Sequence, residues 1–290
     1  MSIWFGLKAS FIIKGGYFTP ACYGRAFVKK KRFVDQMNKE LSSDDLIRYD
    51  RNIKISAIGK SGQKKLKNSS VLIVGLGGLG SASSLYLAAA GIGRLGLVDN
   101  DVVDLSNLNR QVTHSTKRLG MLKVESARTA LLDLNPDLNV DSYPQLFNSS
   151  FSPKIVSQYD LVVDGSDNFE TRYAINQFCV QNKKPYVYGA VFQFSGQASV
   201  FNVPRSPCFQ CVFHKNQPQG FVEAAQAPGV IGALPAIIGA IQAVEAVKLL
   251  LGIGQPLTNR LLIVDGMDMK FTEIIINKNP QCPICSQTNP

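Results

Sequence analysis

The sequence predicts an α/β protein with a Rossmann-like, mostly parallel sheet and antiparallel strands added towards the C-terminus. First, a short apolar run ends in the glycine loop Gly75–Gly80, and a helix rich in small residues and a second apolar run follow. This order is typical of a βαβ unit. Second, apolar runs keep alternating with helical patterns as far as Gly189. Third, the runs beyond Gly189 alternate in polarity and are separated by hairpin-like breaks, which favours antiparallel strands.

The elements are predicted in order along the chain. Residues 42–67 form a polar, amphipathic helical stretch, and the helix after the glycine loop extends to Gly91. Two further helices are predicted at 123–134 and 169–182. Strands are predicted at 71–74, 94–99, 139–143, 160–164, 185–189, 196–203, 261–264 and 271–276.

One apolar segment, residues 229–252, carries almost no charge before Glu245 and Lys248. It is long enough to cross a bilayer, but Pro235 and the soluble pattern on both sides argue against a membrane span. We therefore expect a helix buried within the protein or at a subunit interface, and no membrane partner.

Composition and charge are those of a folded protein with one main domain. The chain has 290 residues, of which 45% are hydrophobic and 18% charged, and its formal net charge is +10. Residues 1–34 hold seven cations and no acid, so about +3 belongs to the rest of the chain. An excess confined to one tail is weak support for a nucleic-acid surface, and no nucleic-acid partner is expected.

The N-terminal segment, residues 1–40, is a basic extension without a clear helical or strand period. A disordered arm, an upstream translation start and an organellar targeting segment are alternative interpretations. Residues 41–290 form the folded domain. We expect a cytoplasmic protein, or one of an organellar matrix or stroma if the extension is a targeting segment.

The glycine loop has the spacing of a nucleotide site, with Gly75, Gly77 and Gly80 between a strand and a helix. Such a loop lets backbone N–H groups approach a phosphate at a helix N-terminus. Asp99, at the end of the second strand, is placed to bind ribose hydroxyls. The alternatives are a tight structural turn and an NAD-dependent oxidoreductase. The second lacks a convincing catalytic histidine, because His114 and His214 are expected to be surface or packing residues.

Polar residues after Asp99 favour triphosphate chemistry over hydride transfer. Ser106, Asn107, Arg110 and Lys123 follow the acid, and two fixed cations with an amide can neutralise a triphosphate and the charge that develops when an α-phosphate is attacked. For either cation alone, surface solvation would be the default interpretation.

A second acidic cluster follows the strand at 160–164, at the edge where open α/β sheets bind ligands. Asp167 is predicted to hold Mg²⁺ near the triphosphate. Asn168 is predicted to cap the following helix.

Taken together, these motifs make the chain similar to the HesA/MoeB/ThiF family of ubiquitin-activating-like adenylyltransferases, over roughly residues 41–286. Within the family it is most similar to the molybdopterin-synthase sulfur-carrier adenylyltransferases. The residues that carry the resemblance are Arg48–Arg51, Val71–Gly80, Asp99–Asp101, Ser106–Arg110, Gly120–Lys123, Asp164–Asn168, Tyr188–Gly189, Gly196–Gln197 and two Cys-x-x-Cys pairs.

The resemblance implies a homodimer that binds Mg-ATP and adenylates the terminal glycine of a small ubiquitin-like sulfur carrier ending in Gly-Gly. It implies that Gly78 and its neighbours face the phosphates, and that Asp99 faces the ribose. Asn107, Arg110 and Lys123 would bind the triphosphate. Asp167, with Asn168 beside it, would serve the metal and the reacting centre, and Arg51 would reach the ATP of the other subunit. The carrier is of the MoaD type, in molybdenum cofactor biosynthesis, or of the ThiS type, in thiamine biosynthesis.

Four cysteines, in two pairs of identical spacing, resemble a closed Cys₄ zinc site that fastens the C-terminal segment to the body. Free or redox-active cysteines are the alternative interpretation. The four are Cys208, Cys211, Cys282 and Cys285.

One departure from the family concerns the loop after the first cysteine pair. Ala225 stands where many relatives carry a cysteine, four positions before Gly229. A methyl group forms no thioester, so we expect the reaction to stop at the acyl-adenylate. The chain also ends soon after Cys285, which leaves no room for a sulfurtransferase domain, so a separate sulfur-donor protein is expected.

Overall fold

A computed structural model describes residues 39–215 and 229–286. Nearly all of the N-terminal extension, and Ala225 with its predicted consequence, lie outside the described residues. The chain divides into two units, Met1–Lys39 and Glu40–Pro290, and the second contains the fold.

The second unit is built on one eight-stranded sheet. Its strands lie in the order β3-β2-β1-β4-β5-β6-β7-β8. Pairing is parallel from β3 to β5 and antiparallel from β5 to β8, as the sequence predicted. The strands are β1 Ser70–Val74, β2 Arg94–Val98, β3 Asn139–Tyr143, β4 Leu161–Asp164, β5 Tyr186–Phe192, β6 Ser195–Phe201, β7 Arg260–Asp265 and β8 Lys270–Ile275.

Helices cover both faces of the parallel half of this sheet, and short 3₁₀ turns lie at Leu105–Asn107 and Thr116–Arg118. In the described part of the chain the α-helices are α1 Ser43–Arg48, α2 Asp50–Ile53, α3 Gly59–Lys67, α4 Gly78–Ala90, α5 Lys123–Leu134, α6 Pro153–Val156, α7 Phe169–Asn182, α8 Phe209–Val212 and α9 Ala233–Leu251.

The core follows from the strand pattern. Successive residues of β1 point to opposite faces, so Val71 and Ile73 pack in one apolar cluster while Leu72 and Val74 pack in another. All four are at most 2% exposed. Continuous apolar strands buried on both faces are typical of parallel sheets under helices, and this burial fixes the strand ends that carry the site.

The stretch at 42–67 is helical as predicted, and the structure divides it into α1, α2 and α3. At the first break, Tyr49 is 4% exposed and its ring lies where a Cβ on Gly91 would be. The Tyr49 hydroxyl accepts a hydrogen bond from Asn135. These long-range contacts override the local helical pattern.

Helix α9 packs against α4 and against β5 and β6. A Cβ on Gly239 would lie 2.6 Å from the Leu79 carbonyl oxygen, so the glycine permits this close approach. In the described ranges, α9 is the one helix long and apolar enough to cross a membrane, and half of its apolar window is buried inside the protein. This burial is typical of a helix in the core of a protein, as the sequence predicted.

Candidate nucleotide site and cysteine cluster

The glycine loop joins β1 to α4 and packs against the end of β4. Gly75 has a φ of +87°, which favours glycine, and its N–H bonds to the Val98 carbonyl at 2.8 Å. A Cβ on Gly80 would lie 1.9 Å from the Gly75 oxygen, and one on Gly165 would lie 2.4 Å from it. The protein's own packing therefore requires these three glycines.

Gly77 differs from the other loop glycines. A Cβ there would meet its nearest neighbour, the Gln111 side chain, only at 3.9 Å. Gly77 is the N-cap of α4, and among the described residues no side chain caps the N–H groups of that helix. A bare loop at an uncapped helix N-terminus suits an anion that approaches the backbone closely.

Gly78 has a structural role as well as the predicted one. A Cβ on this residue would lie 2.7 Å from Pro235 of α9 and 3.5 Å from the Arg110 carbonyl oxygen. The glycine thus lets α9 and the segment around Arg110 pack against the loop.

Asp99 lies directly after β2, beside the glycine loop. Its two carboxylate oxygens accept from the Leu76 N–H at 2.7 Å and the Asp101 N–H at 2.8 Å. Burial raises the pKa of Asp99, and those two hydrogen bonds and Lys123 oppose the increase. The carboxylate holds the loop and stands where the sequence placed the ribose-binding acid.

Lys123 is a buried cation, not a solvated surface lysine. It is 6% exposed, it begins α5, and its Nζ lies 2.8 Å from Asp101 Oδ2. Because Lys123 also acts electrostatically on Asp99, a positive charge is fixed next to the predicted ribose site.

The segment with Ser106, Asn107 and Arg110 forms a compact turn between β2 and α5. Asn107 Oδ1 accepts from the Asp104 N–H at 3.1 Å. Arg110 Nη1 donates to the Ser106 carbonyl at 3.0 Å and to Asn109 Oδ1 at 2.9 Å. The turn lies beside the loop, and the guanidinium is hydrogen-bonded through Nη1 to its own turn.

The acidic cluster after β4 also lies beside the loop, since a Cβ on Gly75 would be 2.9 Å from the Ser166 nitrogen. Asn168 Oδ1 accepts from the Thr171 N–H at 2.9 Å, which confirms the predicted helix cap. Asp167 is exposed at this edge and accepts from Asn168 at 3.3 Å. Its carboxylate remains accessible to a cation.

A buried network supports the acidic cluster, and sequence reasoning missed it. Asp164 is fully buried and accepts from the Tyr186 hydroxyl and the Ser166 hydroxyl, each at 2.6 Å. Arg172 Nη2 donates to the Ser166 carbonyl at 3.0 Å. Burial raises the pKa of Asp164, while the Arg172 charge lowers it. The only sequence signal was an acid at the end of an apolar strand.

Arg51 is the one predicted catalytic residue that the fold does not bring to the loop. It lies on α2, next to Tyr49, whose ring contacts Gly91 at the C-terminal end of α4. The glycine loop is at the N-terminal end of that helix, roughly 20 Å away for a helix of this length. Within one chain, Arg51 is outside the site.

The four paired cysteines form one buried cluster, and their Sγ atoms lie within 4.8 Å of one another. The Sγ separations are 3.8 Å for Cys208–Cys211, 3.6 Å for Cys208–Cys282 and 3.4 Å for Cys211–Cys285. Four sulfurs around a tetrahedral ion at 2.3 Å would be about 3.8 Å apart. The donor set fits a metal ion.

The cluster has its own supporting residue. Asn176 of α7 donates to Cys208 Sγ at 3.7 Å and accepts from the Phe209 N–H at 2.9 Å. An outer hydrogen bond of this kind orients a thiolate ligand. The cluster joins α7 and α8 to the segment beyond β8.

Neither histidine is placed as a catalytic group. His114 is 6% exposed, and both of its ring nitrogens have partners within the protein. His214 is exposed, and its carbonyl accepts from Tyr173. The predictions of a packing and a surface residue are confirmed, and the oxidoreductase alternative gains no support.

Comparison with known sequences identifies relatives over most of the chain. The ThiF family model matches residues 49–284. The adenylyltransferase and sulfurtransferase MOCS3 of Drosophila virilis is 47% identical over 85% of this chain and 55% of its own length. The sulfur carrier protein adenylyltransferase of Thermus thermophilus is 44% identical over 84% of this chain and 92% of its own length. The chain thus spans about half the length of the Drosophila relative.

Solved structures give the same fold. E. coli MccB with ATP has a TM-score of 0.71 and 24% identity, over 90% of this chain and 81% of MccB. E. coli MccB with MccA-N7isoASN has a TM-score of 0.73 and 23% identity, over 91% of this chain and 82% of MccB. At this identity the likeness establishes the architecture alone.

Proposed function

This chain belongs to the ThiF family, and we propose that it uses ATP to adenylate the C-terminal glycine carboxylate of a small ubiquitin-like sulfur-carrier protein. The observation that carries the proposal is the helix N-terminus at Gly77, which no side chain of the described residues caps, although the packing described there does not require a glycine. Asp99 and buried Lys123 lie on one side of the glycine loop. On the other side the Ser166 backbone lies close to Gly75, and Asp167 is the next residue along the chain.

In the proposed reaction, a carboxylate oxygen of the carrier attacks the α-phosphorus of ATP. The bond from that phosphorus to the bridging oxygen breaks and pyrophosphate leaves, which gives a mixed anhydride of the carrier and AMP. A terminal carboxylate is already ionised at neutral pH, so no general base is needed. The chain supplies position and positive charge through the N–H groups of α4, Lys123 and Arg110.

Two metal ions belong to the proposal. Asp167 would hold Mg²⁺, which neutralises the phosphates of the nucleotide. The four thiolates would hold Zn²⁺, which links the two cysteine pairs and contributes folding free energy. The sulfur separations and the burial of the cluster support zinc, and a closed Cys₄ set leaves no position for substrate.

The position of Arg51 is the reason for including a homodimer in the proposal. Within one chain Arg51 lies at the far end of α4 from the loop, so a role at ATP requires a second copy to supply it. The proposal therefore includes a site completed across the subunit interface.

The proposal also specifies the type of carrier, and with it the biosynthetic pathway. A MoaD-type carrier of molybdenum cofactor biosynthesis is favoured by the resemblance, and a ThiS-type carrier of thiamine biosynthesis is the alternative. A separate protein would donate the sulfur, and a cytoplasmic location remains a prediction.

The test is carrier-dependent ATP–pyrophosphate exchange against purified carriers that end in Gly-Gly. We expect Asp167→Ala and Arg110→Ala to reduce the exchange rate about 100-fold or more. The first removes the proposed Mg²⁺ ligand, and the second removes a positive charge beside the reacting phosphates. The matched control is Asp133→Ala, an exposed acid near the C-terminal end of α5, which should exchange normally. Exchange that persists in both site variants would contradict the assigned site.

A further inference from the structure

His114 lies where the glycine loop meets the segment before α5. Its Nε2 is 3.1 Å from the Leu76 carbonyl oxygen, and its Nδ1 is 2.9 Å from Ser126 Oγ. A carbonyl oxygen only accepts, so Nε2 carries the hydrogen. In the neutral ring Nδ1 then accepts from the Ser126 hydroxyl, and both nitrogens are satisfied.

The peptide that His114 contacts belongs to the loop itself. Leu76 stands between Gly75 and Gly77, and its side chain is fully buried. Its N–H donates to Asp99 at 2.7 Å while its carbonyl accepts from His114. Both backbone polar groups of Leu76 are therefore hydrogen-bonded to side chains. These two bonds fix the position of the next residue, Gly77.

The other end of the connection is on the helix that carries the buried cation. Ser126 follows Lys123 by three residues on α5, which is about one helical turn. A continuous series of contacts thus runs from Asp99 through Leu76 and His114 to Ser126. It joins the predicted ribose acid, the phosphate loop and the Lys123 helix.

The charges around the ring favour its neutral form. Burial lowers the pKa of His114 below its usual 6.5, and Lys123 and Arg118 lower it further, while the hydrogen bond to Leu76 opposes this change. Asp99 accepts from the N–H of Leu76, whose carbonyl oxygen accepts from His114. A neutral ring is the form in which the two hydrogen bonds have their assigned directions.

We propose that His114 is a positioning residue for the nucleotide, which fixes the Gly75–Gly80 loop relative to the helix that carries Lys123. The inference rests on the proposed use of ATP at this loop, and it adds a residue that touches neither nucleotide nor carrier. The Leu76 bond is the essential one, because it alone reaches the loop.

Two substitutions separate the two bonds. In His114→Gln the amide nitrogen stands near the position of Nε2 and keeps the donation to Leu76, whereas in His114→Asn the shorter amide reaches only Ser126. Thr113→Val is the matched control, because the Thr113 hydroxyl donates to the Ser81 carbonyl of α4 at 3.0 Å and does not touch Leu76.

The measurements are the Kd for Mg-ATP by titration calorimetry and amide hydrogen exchange of residues 75–80. We expect His114→Asn to weaken Mg-ATP binding about tenfold, which is the effect of one buried hydrogen bond. Loop amides should exchange faster in that variant. His114→Gln should bind within about threefold of wild type, and Thr113→Val should bind as wild type.

The outcomes of these measurements separate the role of His114 from the proposed function. Unchanged binding in His114→Asn, or equal weakening in all three variants, would overturn it in favour of a general packing role. A wild-type protein that binds no Mg-ATP would overturn both this inference and the proposed function. Wild-type binding without carrier-dependent exchange would remove the proposed function alone, and the binding series would still decide the role of His114.

Discussion

The glycine loop Gly75–Gly80 and the cysteine cluster are held together in different ways. Around the glycine loop, Gly75, Gly80 and Gly165 bring backbone atoms into direct contact, so the protein's own packing closes this region. In the cluster, four buried sulfurs face one another from two segments that are 70 residues apart, from 212 to 281. Thiolates at this distance repel unless a cation lies among them.

The difference indicates which part of the fold depends on a bound group. The parallel half has its core on both faces of β1 and should fold by its own packing. The segment after β8 is fastened by Cys282 and Cys285, so its attachment should depend on the metal ion proposed for the cluster. In the proposed function, the nucleotide binds at a surface that this packing forms.

The largest effect is expected from a substitution that removes one sulfur from the cysteine cluster. Cys282→Ser should abolish stoichiometric metal binding and lower the free energy of unfolding by more than about 3 kcal/mol, because a structural zinc site contributes directly to folding. Metal content by mass spectrometry and denaturant unfolding measure both effects. A variant that retains one metal per chain and full stability would show that the four sulfurs do not form a metal site.

The next largest effect distinguishes the roles of Gly80 and Gly77, two glycines of the same loop. Gly80→Ala should lower the free energy of unfolding by about 3 kcal/mol or more, because its Cβ would lie 1.9 Å from a carbonyl oxygen. Gly77→Ala should leave stability within about 1 kcal/mol and weaken Mg-ATP binding at least tenfold.

Unfolding curves and ATP titration on both variants give the comparison. Gly77→Ala serves as the control for Gly80→Ala, since both add one methyl group to the same loop. If Gly77→Ala binds ATP as wild type does, Gly77 is a structural turn residue and the phosphate site lies elsewhere.

The smallest effect concerns pH. The pKa of His114 is lowered in the folded protein, so the unfolded chain binds more protons near its usual pKa of 6.5. The contribution of the neutral ring to stability is full above pH 6.5 and is lost as the pH falls through the lower folded value. His114→Gln should flatten this part of the stability curve, as measured by urea unfolding between pH 5 and 8. An unchanged slope in the variant would assign the pH dependence to other groups.

Much of the fold could be predicted because local patterns agree with the tertiary structure. The predicted helices at 123–134 and 169–182 and the strand at 139–143 match in both bounds. The stretch at 42–67 could not be predicted as three helices, because the break depends on Tyr49 contacting Gly91 and Asn135, which are distant in sequence.

The parts of the site in which a sequence motif fixes the backbone could be predicted. The parts that depend on side-chain conformation were harder to predict. The glycine loop, Asp99, the Asn168 cap and the cysteine cluster lie as expected. The burial of Lys123 against Asp101 and the folding of Arg110 onto its own turn depend on rotamers that spacing does not encode.

The most direct test of the central proposal follows an oxygen atom. The carrier is prepared with ¹⁸O in its C-terminal carboxylate and incubated with the enzyme, Mg-ATP and hydroxylamine as acceptor, and the AMP is analysed by mass spectrometry. Attack of the carboxylate on the α-phosphorus predicts one ¹⁸O in the AMP that leaves. Unlabelled AMP, or label found in phosphate with ADP as the other product, would contradict adenylation of the carrier.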